Sequence, residues 1–398
     1  MNDKNFDFYI DLGSSKIRAV AFNKFDKNEK VIVEKNNILL LKKTKLNFFE
    51  TEKAIEDIIY ELEKKTKVYM NNINLMLDTS DTLLISLSIS KKNDGTLIKK
   101  KNIQYLIQDA KQQILKSYPD QNIIHIIVSN YKIDNINYDY LPDDIKCKTL
   151  SIDILFICFP KILTNNLEDL FQKNQISINQ FLCSSYTKSL HYKEQFPTFE
   201  KIAFIDIGYE KTSIVIYEKD KLKALNVLSI GGNHITKDIS NVLNLDMEKS
   251  EIIKNNLNKD ILFSENNGSD KILQSNFLVQ SSKKNVSPEL IKKIIFARID
   301  EILKLSFEAI KFYENLNDIN RLKVVLTGNG SKILDSNFIH IKETVPLFEE
   351  IDFLIESGLN ICESGLKLSN GLNKQEVLMV PKKIVIKGFF EKLFRFFN

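Results

Sequence analysis

One short pattern occurs twice and constrains the fold more than any other feature of the chain. Ile10, Asp11, Leu12 and Gly13 return as Ile205, Asp206, Ile207 and Gly208, and each copy leads through a polar turn into an alternating strand, KIRAVAF from Lys16 and TSIVIY from Thr212. Strand, tight turn, strand is a β-hairpin whose turn carries an Asp and a Gly. Two such hairpins in separate halves of the chain predict duplicated α/β domains facing each other.

A third strand-like run, Lys323 to Thr327, ends in Gly328, Asn329, Gly330 and Ser331 and enters a helical pattern at Lys332. That geometry offers backbone N–H groups to an anion. Glycine is scarce, 12 in 398 residues, yet Gly13, Gly208, Gly231, Gly232, Gly328 and Gly330 all fall in these few segments. Such concentration argues for a backbone role at a phosphate rather than for packing.

The length suits two to four domains with a sizeable core. With 43% hydrophobic and 27% charged residues the chain is expected to fold, and a net charge of +4 is too small for a general nucleic-acid binder. Basic residues are nearly all Lys, with Arg only at Arg18, Arg298, Arg321 and Arg395, a bias that reads as an AT-rich genome. Cys147, Cys158, Cys183 and Cys362 form no CxxC pair, and the histidines lack metal-ligand spacing, so a reduced cytoplasmic chain without structural zinc is expected. The acidic first residues contain no apolar core of a secretion signal, and apolar runs fall short of the ~18 residues a membrane span requires. Helices are predicted over 51–68, 100–117, 247–256 and 288–315, the last capped by Ser287, with loops at 264–270 and 369–375.

Two facing hairpins suit a nucleoside triphosphate with its magnesium ion. Backbone N–H groups and small hydroxyls at Gly13, Ser14, Ser15, Gly208 and Thr212 would bind phosphate oxygens, Lys16 would neutralise charge, and Asp11 and Asp206 would hold the hydrated cation. An ordinary Asp-Gly turn accounts for either hairpin alone, but not for both together with the Gly328 loop.

These residues resemble the phosphate and adenosine motifs of the actin, sugar kinase and 70-kDa chaperone superfamily. VLSIGGNHITKDIS from Val227, with HIIVSNYKIDN from His125, is similar to the bacterial FtsA cell-division family. The resemblance implies an actin-like, ribonuclease H-type duplicated α/β fold with an inserted α+β subdomain and a C-terminal amphipathic helix. By it, Asp11, Gly13, Ser14, Ser15 and Lys16 form the first phosphate loop, and Asp206, Gly208, Tyr209, Lys211 and Thr212 the second. Gly231, Gly232 and Asn233 form a turn closing on the phosphates, Glu251 and Lys254 hold ribose and adenine, and Gly328, Asn329, Gly330 and Ser331 form the adenosine loop. Without the resemblance, Glu251 and Lys254 read equally well as a solvated helix face.

Glu210 and Lys211 depart from the family pattern, since an acidic side chain there would crowd the terminal phosphate unless Lys211 compensates. Nucleotide binding with slow or no hydrolysis is expected, and no catalytic base is identifiable. The expected division is 1–81 with 163–200 and 346–378 as first core domain, 82–162 as insert, 201–245 with 300–345 as second core domain, 246–299 as nucleotide-closing subdomain, and 379–398 as linker and helix.

Over Lys382 to Asn398 a helix would gather Phe389, Phe390, Leu393, Phe394, Phe396 and Phe397 in an arc of about 160°, with Lys392 and Arg395 opposite. Together with Lys387 these residues suit an interfacial anchor on anionic lipids at the inner face of the cytoplasmic membrane. The family resemblance adds ATP and Mg2+ as cofactors, self-association into polymers, and FtsZ and other division proteins as partners at the division site. A small-molecule kinase of the same superfamily and a PilM-like pilus-assembly scaffold are the alternatives.

Overall fold

The computed structural model describes residues 5–26, 28–36, 48–142, 144–255, 288–313, 322–335, 350–373 and 375–377. The first repeat folds as β1 (Phe6–Leu12) and β2 (Lys16–Asn23), antiparallel, with Asp11 opposite Arg18 and Leu12 opposite Ile17. After β3 (Lys30–Asn36), α1 (Phe48–Thr66) and β4 (Asn72–Leu77) come β5 (Leu83–Leu97), α2 (Lys100–Ser117), β6 (Gln121–Ile133), β7 (Ile136–Tyr138) and β8 (Lys146–Pro160). The chain continues through α3 (Lys161–Lys173), β9 (Ser177–Cys183) and α4 (Ser184–Lys193).

The second repeat is β10 (Lys201–Ile207), β11 (Thr212–Glu218) and β12 (Lys221–Leu228), followed by α5 (Gly232–Leu243), α6 (Met247–Asn255) and α7 (Pro288–Tyr313). Then come β13 (Lys323–Thr327), the short α8 (Lys332–Asp335), β14 (Glu350–Phe353) and α9 (Gly358–Ser369).

Two five-stranded sheets result, ordered β3-β2-β1-β4-β9 and β12-β11-β10-β13-β14. In each, the hairpin strands and the third strand pair antiparallel, while the two strands on the far side run parallel to the first. The duplication expected from the repeated tetrapeptide is therefore present strand by strand.

Parallel strands covered on both faces are apolar nearly throughout. β10 and β13 behave so, and Ile205, Ile214 and Val324 join Ile235 and Ile239 of α5 and Ile291, Ile295, Ile299 and Ile302 of α7 in one core. Each such side chain contributes roughly 1.5–3 kcal/mol when fully buried. The helical spacing of these isoleucines builds the layer that seats the second hairpin. On the first sheet α1 buries Ile55, Ile58 and Leu62 in the same way.

The chain divides into two compact units. The first contains both five-stranded sheets and spans 1–85, 120–124 and 157–373. The second takes 86–119, 125–156 and the last described residues, and most of the sheet β5-β8-β6-β7 falls in it. The strands β5, β6 and β8 are long, at 15, 13 and 15 residues.

Within this second unit, residues 375–377 add to the edge of β6. Val128 N–H donates to the Gln375 carbonyl at 2.9 Å and Val377 N–H to the Ile126 carbonyl at 2.8 Å, an antiparallel bridge about Ile127 and Glu376. His125 Nδ1 meets Glu376 Oε1 at 2.7 Å, with both side chains buried. No helix of the described residues is long and apolar enough to cross a membrane. The amphipathic segment Lys382 to Asn398, the loop 264–270 and the cap Ser287 lie outside the described residues.

Candidate functional site: the cleft between the hairpins

Asp11 and Asp206 stand one residue before the ends of β1 and β10, at equivalent rungs, Asp11 opposite Arg18 and Asp206 opposite Ser213. The two hairpin turns, the end of β4, the start of α4, the Gly328 loop and the segment before α9 surround a polar cleft of about 90 Å³. Small-molecule sites usually enclose roughly 300–1,000 Å³. The reason for the small volume is that ionic side chains cross the cleft.

Asp11 Oδ2 accepts from Arg18 Nη1 at 2.9 Å and Oδ1 from the Ser184 hydroxyl at 2.8 Å. Asp206 Oδ2 accepts from the Lys188 ammonium, which also meets Glu356 Oε1 at 3.1 Å. Burial opposes the charge on Lys188, but Asp206 and Glu356, with smaller help from Tyr192 and Asp11, outweigh it and hold its pKa well above the usual lysine value. Burial likewise works against Arg18, and Asp11 overcomes it. Glu356 is pushed up by burial, Lys188 pulls the other way, and Asp206 adds repulsion.

A fourth carboxylate, Asp78, follows β4 and sits on the first turn of α4. It accepts from the Ser185 N–H and hydroxyl, both at 3.0 Å, and from the Ser213 hydroxyl at 3.3 Å. A helix N-terminus favours an anion, and here the chain supplies one of its own. Lys211 reaches from the second hairpin to the carbonyl of Asp78. Burial lowers the Lys211 pKa, with Asp78 and Glu210 opposing.

Of the residues expected from sequence, Asp11, Gly13, Ser14, Ser15, Asp206, Gly208, Tyr209, Lys211, Gly328 and Asn329 line the cleft. Gly328 has to be glycine: its φ is +85°, and a Cβ there would lie 2.2 Å from Asp206 Oδ1. Lys16 starts β2 and pairs with Asn36 of β3 rather than lining the cleft. The Thr212 hydroxyl bonds the Ile230 carbonyl at 2.8 Å in the core, and the Ser331 hydroxyl bonds the Gly328 carbonyl at 2.8 Å beside Gly330.

Gly231, Gly232 and Asn233 close on the second hairpin itself. Gly232 N–H donates to the Gly208 carbonyl at 2.9 Å and Asn233 N–H to that of Tyr209 at 2.7 Å. Glu251 and Lys254 are not a solvated face. The Lys254 ammonium is buried, 2.6 Å from Glu251 Oε2, 2.9 Å from Thr236 Oγ1 and 5.5 Å above the Tyr209 ring. Burial raises the Tyr209 phenol to about 12, with Glu251 and Glu210 adding to it.

Glu210 does not line the cleft: its carboxylate accepts from the Asn233 side-chain amide, while Lys211 donates to the Asp78 carbonyl, with Asp78 and then Glu210 favouring its charge. Sequence reasoning missed Asp78, Ser184, Lys188 and Glu356. A signal existed for Asp78, which follows strand NINLML much as Asp11 and Asp206 close theirs, but without the glycine. Lys188 and Glu356 carry none.

The model of the family "Cell division protein FtsA" matches residues 203–336. Among curated relatives, the FtsA of Enterococcus faecalis is 22% identical over 71% of this chain and 64% of its own length. That of Bacillus subtilis (strain 168) is 21% identical over 78% of this chain and 71% of its own. The chain thus spans about two thirds of the length of these relatives. Among solved structures, the PilM–PilN type IV pilus biogenesis complex matches 93% of this chain and 99% of its own with a TM-score of 0.61 at 12% identity, a likeness of fold alone. The resemblance carried by Ile205 to Ser240 falls within the matched residues 203–336, and the chain, similar to these FtsA proteins at 21–22% identity, has the actin-like ATPase fold.

Proposed function

We propose that this chain is a cell-division protein that binds ATP between its two core domains, self-associates, and holds FtsZ filaments and other division proteins at the cytoplasmic face of the membrane. The observation that carries this reading is the pair of matched hairpins in a duplicated actin-like fold whose second half matches the FtsA model. The segment 246–299 is assigned the nucleotide-closing role, and the adenosine loop is placed at Gly328 to Ser331.

The tether is read from sequence. Lys387, Phe389, Phe390, Lys392, Leu393, Phe394, Arg395, Phe396 and Phe397 have the composition of a helix lying in a lipid interface. A single such helix is a reversible anchor. Many presented along one polymer bind through effective concentration, so polymerisation and attachment reinforce each other.

The test is co-sedimentation with vesicles containing anionic lipid. The full chain should pellet and a chain ending at Val380 should stay in solution, and Phe394→Asp should remove binding. Equal pelleting of full and shortened chains overturns the tether and favours the kinase or pilus-scaffold readings, neither of which uses such a tail.

The expected magnesium ligands, Asp11 and Asp206, are already engaged by the chain's own cations. Both oxygens of Asp11 are bonded, one oxygen of Asp206 holds Lys188, and the other lies in the space a Cβ on Gly328 would fill. Among the described residues no group of three His, Cys, Asp or Glu side chains converges as a metal site. As arranged, Asp11 and Asp206 do not fit a resident divalent ion.

A further inference from the structure

We infer that the chain's own cations replace the divalent ion in this cleft: the Lys188 ammonium bridges Asp206 and Glu356, and Arg18 neutralises Asp11.

Three carboxylates, Asp11, Asp206 and Glu356, line the cleft from the ends of β1 and β10 and from before α9, and their side chains are only 8%, 16% and 9% exposed. Buried carboxylates require a counter-charge, which a magnesium ion supplies in an open site with waters completing its shell. Here the counter-charge is covalently attached. Lys188 lies on the second turn of α4, whose first residue bonds Asp11 and whose next anchors Asp78, so the helix delivers the ammonium to a fixed place. The ammonium donates to Asp206 and makes an ionic contact with Glu356 at 3.1 Å, so its single compact charge is shared between the two carboxylates.

The two hairpins solve the same problem by different routes. In the first, the rung opposite Asp11 is Arg18, one of four arginines in a lysine-rich chain. In the second, the rung opposite Asp206 is Ser213, which bonds Asp78, and the cation arrives instead from α4. An ion entering between the aspartates would have to displace a cation from each. Once those cations are in place, binding an anionic ligand no longer depends on metal. The inference rests on the assignment of this cleft as the ligand site only for that last statement.

The experiment titrates Mn2+ into the intact protein and follows the free ion by electron paramagnetic resonance. The wild-type chain should leave the free-ion signal undiminished, whereas Lys188→Met, which frees two buried carboxylates, should take up Mn2+ at least about tenfold more tightly. Wild-type uptake of one ion per chain that Asp206→Asn abolishes overturns the inference, and so does a folded Lys188→Met that gains no affinity. If Lys188→Met does not fold, Glu356→Gln in the Lys188→Gln background, which removes one excess carboxylate, serves in its place, and the wild-type titration decides by itself.

A second arm measures ATP affinity by calorimetry in Mg2+ and in EDTA. Affinities within about twofold support the inference, and a loss beyond about tenfold in EDTA overturns it. Absence of ATP binding in both conditions sinks the nucleotide reading of the cleft and leaves the Mn2+ titration to decide whether the cations have replaced the ion.

Discussion

Gly328 shows how tightly the cleft is determined. Its positive φ and the 2.2 Å approach of a would-be Cβ to Asp206 Oδ1 mean that Gly328→Ala must strain the backbone and push the aspartate off Lys188. The conformational part alone costs about 1–3 kcal/mol. Chemical denaturation should show at least that loss, and an unchanged midpoint would mean the loop relaxes freely. The glycine itself was legible in the sequence because glycine is rare here. Lys188 was not, since one lysine among so many carries no mark, and only the fold brings α4 against β10. Asp78 lay between these cases: its place after β4 was readable, but its bonds to the start of α4 required the sheet order.

Among the elements, α4 and α9 are pinned by a histidine whose charge state matters. Lys367 Nζ, which can only donate, meets His191 Nε2 at 2.7 Å, and Nδ1 lies 2.9 Å from the Ser364 hydroxyl, so the ring is neutral with its proton on Nδ1. Burial and then Lys367 lower the His191 pKa, and burial and then Lys237 lower that of His234 at the start of α5. As pH falls through the unfolded value of about 6.5, the unfolded chain takes up these protons first, so stability is lost from there down to the folded pKa values. The thermal midpoint should therefore drop between about pH 7 and pH 5.5, less steeply in His191→Gln, and an unaltered slope would exclude His191. The hairpins, β13 and the helices were legible because their apolar spacing is regular and their ends carry Gly, Asp or Pro. The pairing of 375–377 with β6 was not, because that segment reads as polar loop and its partner lies far away in sequence, with the buried pair His125–Glu376 separated by 251 positions.

At the scale of the whole molecule, the last described residues join the sheet of the second unit to the segment read as a tether. Glu376→Ala removes a buried hydrogen-bond partner from His125, a loss worth about 1–3 kcal/mol to the docked segment. Hydrogen exchange at the Val128 and Val377 amides should quicken, and unchanged rates would show that the two backbone bonds suffice. The docked segment also has a mechanical consequence. Between Val377 and Lys387 the chain can stretch no further than about 36 Å. A lipid-held tail would thus be a short leash whose pull enters the protein along the added strand, loading its backbone bonds and the His125–Glu376 pair together in shear. Tension on the membrane side would be received first by the four-stranded sheet, as a rope is received by its cleat.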